Sequence, residues 1–290
     1  MLGKLSRVFL VTLLILLTIT KSQAVLSSRL KAFDGTNGSN ISLYESNPDL
    51  VWSKVYIQSL ISDTKTILVK PLHWNSEEWK TAELSVLSVS LAAGFDRSIQ
   101  SSVQTNRTIS QDDFFKKIQN LGSGFSFAII GSFEICGDFT NDIKLKRISR
   151  EALEASIIGP GLLGTSLKYT FGRVRPNSAK KTFDFKSFSG SQSFPSGHTA
   201  QAFALATTIA SEYDQMWIKL MCYSGAVLVG YARIEQNTHY ASDVTAGAIL
   251  GWSVAKSVLK LHHSKTTHSS LTLSPYIRQK AEGLMLQVDY

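Results

Sequence analysis

From residue 80 onward, apolar side chains recur every three to four positions. They mark helices over about 80–93, 112–136, 142–171, 197–212, 215–232 and 239–261. The pattern predicts an all-α fold, a helical bundle of about six core helices. Gly159-Pro160-Gly161 lies inside the third helix and predicts a kink or break there. The fourth is rich in Ala between Thr199 and Ser211, and the sixth carries Gly247 and Gly251 four positions apart. Both features let helix backbones approach closely. Upstream, Leu50, Val51, Tyr56, Ile57, Leu60 and Ile61 fit a short amphipathic helix that packs on the domain, with a place on a membrane surface the alternative. Ile67 to Trp79 reads as an irregular docking segment with two tryptophans. After Leu261 the period is lost. His262, His263 and His268 sit in a Ser/Thr/Lys-rich stretch that reads as a solvated tail, with metal binding the alternative. Leu271–Tyr276 and then Leu284, Leu286, Val288 and Tyr290 alternate like strands, which predicts a small C-terminal β-hairpin.

The N-terminus has its own pattern. Lys4 and Arg7 precede the apolar run Val8–Ile19, and Ser22-Gln23-Ala24 offers small residues at cleavage spacing. Residues 1–24 therefore read as a signal peptide, with an uncleaved signal anchor as the alternative. Either one exports the rest of the chain to the periplasm or cell envelope, where it is free to associate with membrane. Residues 25–79 are a linker with short amphipathic segments, 80–261 the helical domain, and 262–290 the tail with its hairpin. Past the N-terminal run, no stretch is apolar without interruption for about 18 residues. The longest, Leu220–Ala232, ends between Lys219 and Arg233. A soluble or membrane-attached bundle fits this pattern at least as well as a polytopic one.

Composition adds two limits. The 290 residues carry a formal charge of +8, which suits anionic partners: phosphorylated small molecules, lipid headgroups or nucleic acid. No basic stripe with interleaved aromatics and no zinc-finger or RNP-type signature is present, so nucleic acid is set aside. The two cysteines, Cys136 and Cys222, are too few for a disulfide framework or a zinc site and read as buried free thiols.

Three clusters carry candidate chemistry. Lys168 and Arg175 are seven positions apart, on one helical face about 10 Å from each other, and Pro176 ends the helix. Arg173 between them points elsewhere, toward the surface. Phe194-Pro195-Ser196-Gly197-His198 precedes the Ala-rich helix. Ser196 can cap it, Gly197 admits a ligand close to the backbone, and the free amides of the first turn form an anion site. His198 stands beside that anion, placed to give or take a proton. In the third cluster His239 and Asp243 share a helical face, so the carboxylate can fix the ring's tautomer and leave the other nitrogen as nucleophile or base. Arg233, at the end of the preceding helix, can fork onto phosphate oxygens. Each cluster alone has a plain structural explanation. All three in this order, each at a helix boundary, do not.

The pattern K-x6-RP, PSGH and R-x5-H-x3-D resembles that of the type 2 phosphatidic acid phosphatase (PAP2) superfamily, the group of acid phosphatases, lipid phosphatases and vanadium haloperoxidases. The motifs span 168 to 243. One departure is Ala232, where the family has Ser, which removes a hydroxyl but no charged or nucleophilic group. The resemblance implies that His239 attacks phosphorus and forms a phosphohistidine, oriented by Asp243. It implies that His198 protonates the leaving oxygen and then activates water. Lys168, Arg175 and Arg233 would hold the phosphate oxygens, and Ser196 and the Gly197 amide would complete the cradle. With three cations present and no metal-ligand cluster evident in the sequence, the expected hydrolysis of phosphate monoesters or pyrophosphates needs no metal or other cofactor. Lipid phosphates at the envelope are the leading substrates, ahead of a soluble-substrate acid phosphatase. A vanadate-dependent haloperoxidase and a non-catalytic phosphate-lipid binding protein are the rivals. The segment 177–193, with Lys180, Lys181, Lys186, Phe183, Phe185 and Phe188, reads as a basic-aromatic flap or a mobile loop.

Overall fold

A computed structural model describes residues 54–266, 270–278 and 281–289. The expected signal peptide and most of the expected linker lie outside the described residues. The fold is all-α as the periodicity predicts. The helices are α1 (Lys54–Val69), α2 (Ser76–Thr105), α3 (Ile109–Ile118), α4 (Gly124–Thr140), α5 (Ile143–Ser156), α6 (Thr165–Phe171), α7 (Gly197–Glu212), α8 (Met216–Glu235) and α9 (Ala241–Thr266). Strands β1 (Ser270–Arg278) and β2 (Ala281–Asp289) pair antiparallel, Ser270 opposite Asp289 and Arg278 opposite Ala281.

The core forms where α5, α7, α8 and α9 meet. Phe203 and Ala206 of α7 pack with Tyr223, Ala226 and Val229 of α8 and Ala248 of α9. Ile67 of α1 reaches into a second cluster with Ala155, Ala204, Val254 and Val258, with Leu60 packed against it, so α1 packs on the bundle, although Ile57 and Ile61 of the expected stripe are exposed. The α7–α9 contact is the closest. A Cβ on Gly247 would come within 2.4 Å of the Ser196 carbonyl oxygen, and one on Gly251 within 2.1 Å of that of Ala200. The two glycines thereby bring the start of α9, with His239 and Asp243 beside it, against the start of α7.

Several boundaries differ from the periodicity. α2 extends to Thr105 because one face is buried around Ala92, Asp96 and Val103, and the charge at Asp96 hides that face from a hydrophobicity count. The expected helix 112–136 is broken by a 3-10 turn at Gln119–Gly122. The run 142–171 passes through a π-helical segment at Ile157–Gly164, which holds Pro160 where the kink was expected. α9 continues past Leu261, and His262 is buried in its last turns rather than solvated in a tail. Both cysteines are free, but Cys136 is exposed, contrary to the expected buried thiol. Among the described residues one helix, Ala241–His263, is long and apolar enough to cross a membrane by length and composition.

Candidate active site

The first cluster sits where α6 ends. Gly172 adopts a left-handed conformation (φ 57°), and a Cβ there would run into the Lys186 carbonyl oxygen. The turn releases residues 173–175 to run antiparallel to 184–186, with Val174 N–H donating to Asp184 O and Lys186 N–H to Gly172 O, both at 2.8 Å. The 177–193 segment is thus tied back onto the first cluster. Phe183 and Phe185 flank the Arg173 guanidinium at 5.7 and 5.6 Å. Phe188 stays well exposed.

Lys168 points inward from α6. Its Nζ donates to the Gln192 carbonyl at 2.8 Å, and its aliphatic stem passes 3.6 Å from where a Gly197 Cβ would stand. Burial first, then the nearby Arg175, pushes its pKa down to about 8. Arg233 is buried at the end of α8, where it donates to Gln119 and, at 3.4 Å, to Gln236. Its pKa falls to about 10 through burial and Arg175, so it remains a cation at neutral pH. Ala232 beside it is fully buried.

The Ser196 hydroxyl does not cap α7. It pairs with Thr199 Oγ1 at 2.8 Å, while the Ser196 N–H donates to the Asp243 carbonyl at 2.9 Å. That bond fastens the second cluster to the third. His198 is half-buried. Burial lowers its pKa to about 4, helped by Arg233, His239, Lys168 and Arg175 in that order. These five groups therefore share one electrostatic neighbourhood.

His239 is buried, and its Nδ1 lies 2.7 Å from the Ser193 carbonyl oxygen. A carbonyl only accepts, so Nδ1 carries the proton and Nε2 presents its lone pair. Asp243 lies further from Nδ1, at 3.7 Å, and contributes charge more than a direct hydrogen bond. Burial is the main reason the ring's pKa falls to about 4; Asp243 opposes it, and Lys168 and Arg233 add to it. The ring is neutral at physiological pH.

Asp243 is fully enclosed. Its Oδ2 accepts from Ser193 Oγ at 2.6 Å and Tyr240 N–H at 2.9 Å, and its Oδ1 accepts from Arg173 at 2.6 Å. Arg173 was expected at the surface, yet it is 2% exposed. Its other nitrogen donates to Asp96 of α2 at 2.8 Å, and its ring-facing side stacks on Tyr240 at 4.1 Å. Ser242 completes the network by donating from both N–H (2.9 Å) and Oγ (2.6 Å) to Asp96. Sequence reading missed Asp96, Ser193 and Gln119 altogether. The available signal for Asp96 was a lone carboxylate on the otherwise apolar stretch Leu91–Phe95.

The structure therefore brings Lys168, Arg175, His198, Arg233, His239 and Asp243 into one site, with Gly197 against Lys168 and Ser196 behind α7. Lys168, Arg175 and His198 are half-buried there, while Arg233 and a neutral His239 are buried. The arrangement suits a tetrahedral dianion.

Known proteins bear on the same stretch. Residues 152–267 match the model of the PAP2 superfamily. The chain is 38% identical over 108 residues to a lipid A 1-phosphatase of Porphyromonas gingivalis, over 37% of this chain and 22% of that protein. It is 30% identical over 176 residues to lipid phosphate phosphatase 1 of Arabidopsis thaliana, over 47% of this chain and 53% of that protein. The crystal structure of Aquifex aeolicus LpxE is 29% identical with a TM-score of 0.47, over 57% of this chain and 95% of that one. The chain spans about half, or less, of the length of these curated relatives. The stretch 152–267 that matches this family model holds all three clusters.

Proposed function

We propose that this chain is a phosphatase of lipid phosphates that works through a phosphohistidine on His239. The observation that carries the reading is the state of that ring: Nδ1–H is given to the Ser193 carbonyl, so Nε2 offers a lone pair among fixed cations. Nε2 attacks phosphorus in line with the ester oxygen. The P–O bond breaks, and the leaving oxygen takes a proton from His198. His198 then removes a proton from water, the oxygen attacks phosphorus, the N–P bond breaks, and inorganic phosphate leaves. Lys168, Arg175 and Arg233, with the Gly197 amide at the start of α7, hold the phosphoryl oxygens in both steps. Ser196 supports the cradle from behind by tying α7 to Asp243. A bound dianion raises the pKa of His198 and so supplies the proton that the leaving group needs.

Lipid phosphate as substrate class is supported by the names of the relatives and by α2. Leu84, Leu87, Leu91 and Phe95 recur on one face of that helix and are all at least half exposed, while Ala92, Asp96 and Val103 are buried on the other. An apolar stripe turned away from the core suits attachment to a bilayer surface. We assign residues 80–261 to the phosphatase unit and 1–24 to export.

The test is phosphate release from a vesicle-borne lipid phosphate and from p-nitrophenyl phosphate, on separated membrane and soluble fractions, with and without EDTA. Release from the lipid at the higher kcat/KM, in the membrane fraction and undiminished by EDTA well below the melting temperature, is expected. No release from either substrate, or loss in EDTA restored by Mg²⁺, overturns the reading.

Lys168 supplies a pH signature. It is charged below its pKa of about 8, so its grip on phosphate is present below that pH and lost as pH rises through it. We expect kcat/KM to fall above about pH 8 while kcat holds further, because bound dianion stabilises the ammonium. In Lys168→Arg that alkaline limb moves upward, since guanidinium does not titrate there. An unmoved limb excludes Lys168 as its source.

A further inference from the structure

At the far end of α9 lies a second cluster of ionisable groups. α9 carries Asp243 near its start and His262 near its end, nineteen residues and roughly 28 Å apart along the axis. Around His262 stand Asp63 of α1 and Glu151 and Glu154 of α5, all four side chains buried. Phosphoryl transfer at His239 makes no use of them.

Among the described ion pairs of Glu151 and Glu154, carboxylates outnumber cations. Glu151 and Glu154 both pair with His262, and even an imidazolium offsets only one of two carboxylates. Burying the excess charge is costly without a further cation. Glu154 is 0% exposed, and among the described residues neither of its carboxylate oxygens has a hydrogen-bond donor.

The spacing supplies the cation's shape. His262 Nε2 lies 3.4 Å from Asp63 Oδ2 and 3.2 Å from Glu154 Oε2. One ligand atom from each of the three residues fits within a mutual 4.8 Å. Ligands at about 2.0–2.2 Å from a single ion stand roughly 3–3.6 Å apart at adjacent positions. Glu151 Oε1 lies 3.2 Å from His262 Nδ1 and accepts a hydrogen bond when Nδ1 carries the proton, the tautomer that leaves Nε2 to face the other two carboxylates.

We propose that Asp63, Glu154 and His262 bind one divalent first-row transition ion, with Glu151 as the outer carboxylate that orients the imidazole. Two carboxylates and an imidazole suit Mn²⁺, Fe²⁺ or Zn²⁺ better than Ca²⁺ or Mg²⁺, which prefer oxygen throughout, or Cu⁺, which prefers sulfur. The three ligands come from α1, α5 and α9, so the ion clamps the first described helix to the core. Its distance from His239 makes it a structural ion and leaves the metal-free phosphoryl chemistry untouched.

The experiment uses the untagged full chain, stripped with EDTA and then titrated with Mn²⁺ or Zn²⁺ alone. Bound metal is counted by mass spectrometry after gel filtration, and the melting temperature is recorded. One ion per chain is expected, with a rise of about 5–10 °C at a hundredfold excess over Kd. Glu154→Gln and Asp63→Asn keep the shape of the cluster and lose both the ion and the rise. His263→Ala, at the exposed neighbour, keeps both. A wild-type chain that retains no ion and melts at the same temperature with and without metal overturns the proposal. So does a Glu154→Gln chain that still binds one ion and shows the full rise.

Discussion

His239→Ala and His198→Ala are each expected to lower steady-state phosphate release by at least about 100-fold, and they differ in which step is lost. The contrast follows from what each ring does. In the proposed mechanism His239 Nε2 makes the bond to phosphorus, so no choice of leaving group replaces it. His198 gives a proton to the leaving oxygen, and a phenolate that leaves without help needs that proton less than an alkoxide does. On p-nitrophenyl phosphate the His198→Ala loss in the first step is therefore smaller than on a lipid phosphate. The second step, which needs a base to activate water, becomes slow for both, so His198→Ala accumulates phosphoenzyme. Rapid quench into alkali, where a phosphohistidine survives, captures that species in His198→Ala and finds none in His239→Ala. Circular dichroism separates the result from misfolding. His239→Asn, which keeps a side-chain N–H donor for the Ser193 carbonyl, is expected to fold like wild type and to be as inactive as the alanine variant. Near-normal turnover in either alanine variant removes the phosphohistidine reading.

The parts of this site that are legible in the sequence are those built by short-range geometry. Lys168 and Arg175 flank a helix end, His198 follows a helix start, and His239 and Asp243 share one face across a helix start. Spacing along a few residues brings each of them to a helix boundary, but Lys168 and Arg175 do not share the expected helical face, because α6 ends at Phe171 with Gly172 turning the chain before Arg175. Gly247 and Gly251 likewise signal the close α7–α9 approach, because only a missing side chain lets backbones come so near. What is not legible depends on partners far along the chain. Arg173 looks like a surface cation until Asp96, 77 residues upstream, is seen beside it. Asp96 itself interrupts a hydrophobic stripe and so shortens the apparent helix that carries it. His262 lies in polar company in sequence, while in space it faces Asp63 and Glu154, which no local pattern joins to it. The Ser196 hydroxyl is a further case: its position before α7 suggests a cap, but a Thr199 hydroxyl three residues on competes for it and wins.

Removing the charge of Arg173 is expected to cost more stability than any single change at the mouth of the site. Its guanidinium bridges two carboxylates that are both 0% exposed, Asp96 at 2.8 Å and Asp243 at 2.6 Å. Arg173→Met fills most of the volume and leaves both acids without their cation. Breaking a buried pair in this way costs about 3–5 kcal/mol, because the surviving charge stays out of water. Spread over a domain of this size, that lowers the melting temperature by roughly 6–20 °C. Asp96 is then the group that takes up a proton, since burial already raises its pKa and Arg173 is one of the groups that holds it down. The loss in Arg173→Met accordingly shrinks as pH falls through the raised Asp96 value. The paired variant Arg173→Met/Asp96→Asn removes one of the two stranded charges and recovers part of the stability, so the two changes are less than additive in a double-mutant cycle. Asp243 remains without its guanidinium partner, held by Ser193 Oγ and the Tyr240 amide, so kcat is expected to stay low even where folding is restored. That split between recovered melting temperature and unrecovered kcat distinguishes a residue that positions Asp243 from one that merely fills the core. A melting temperature for Arg173→Met within about 2 °C of wild type excludes the bridge as a major support of the site.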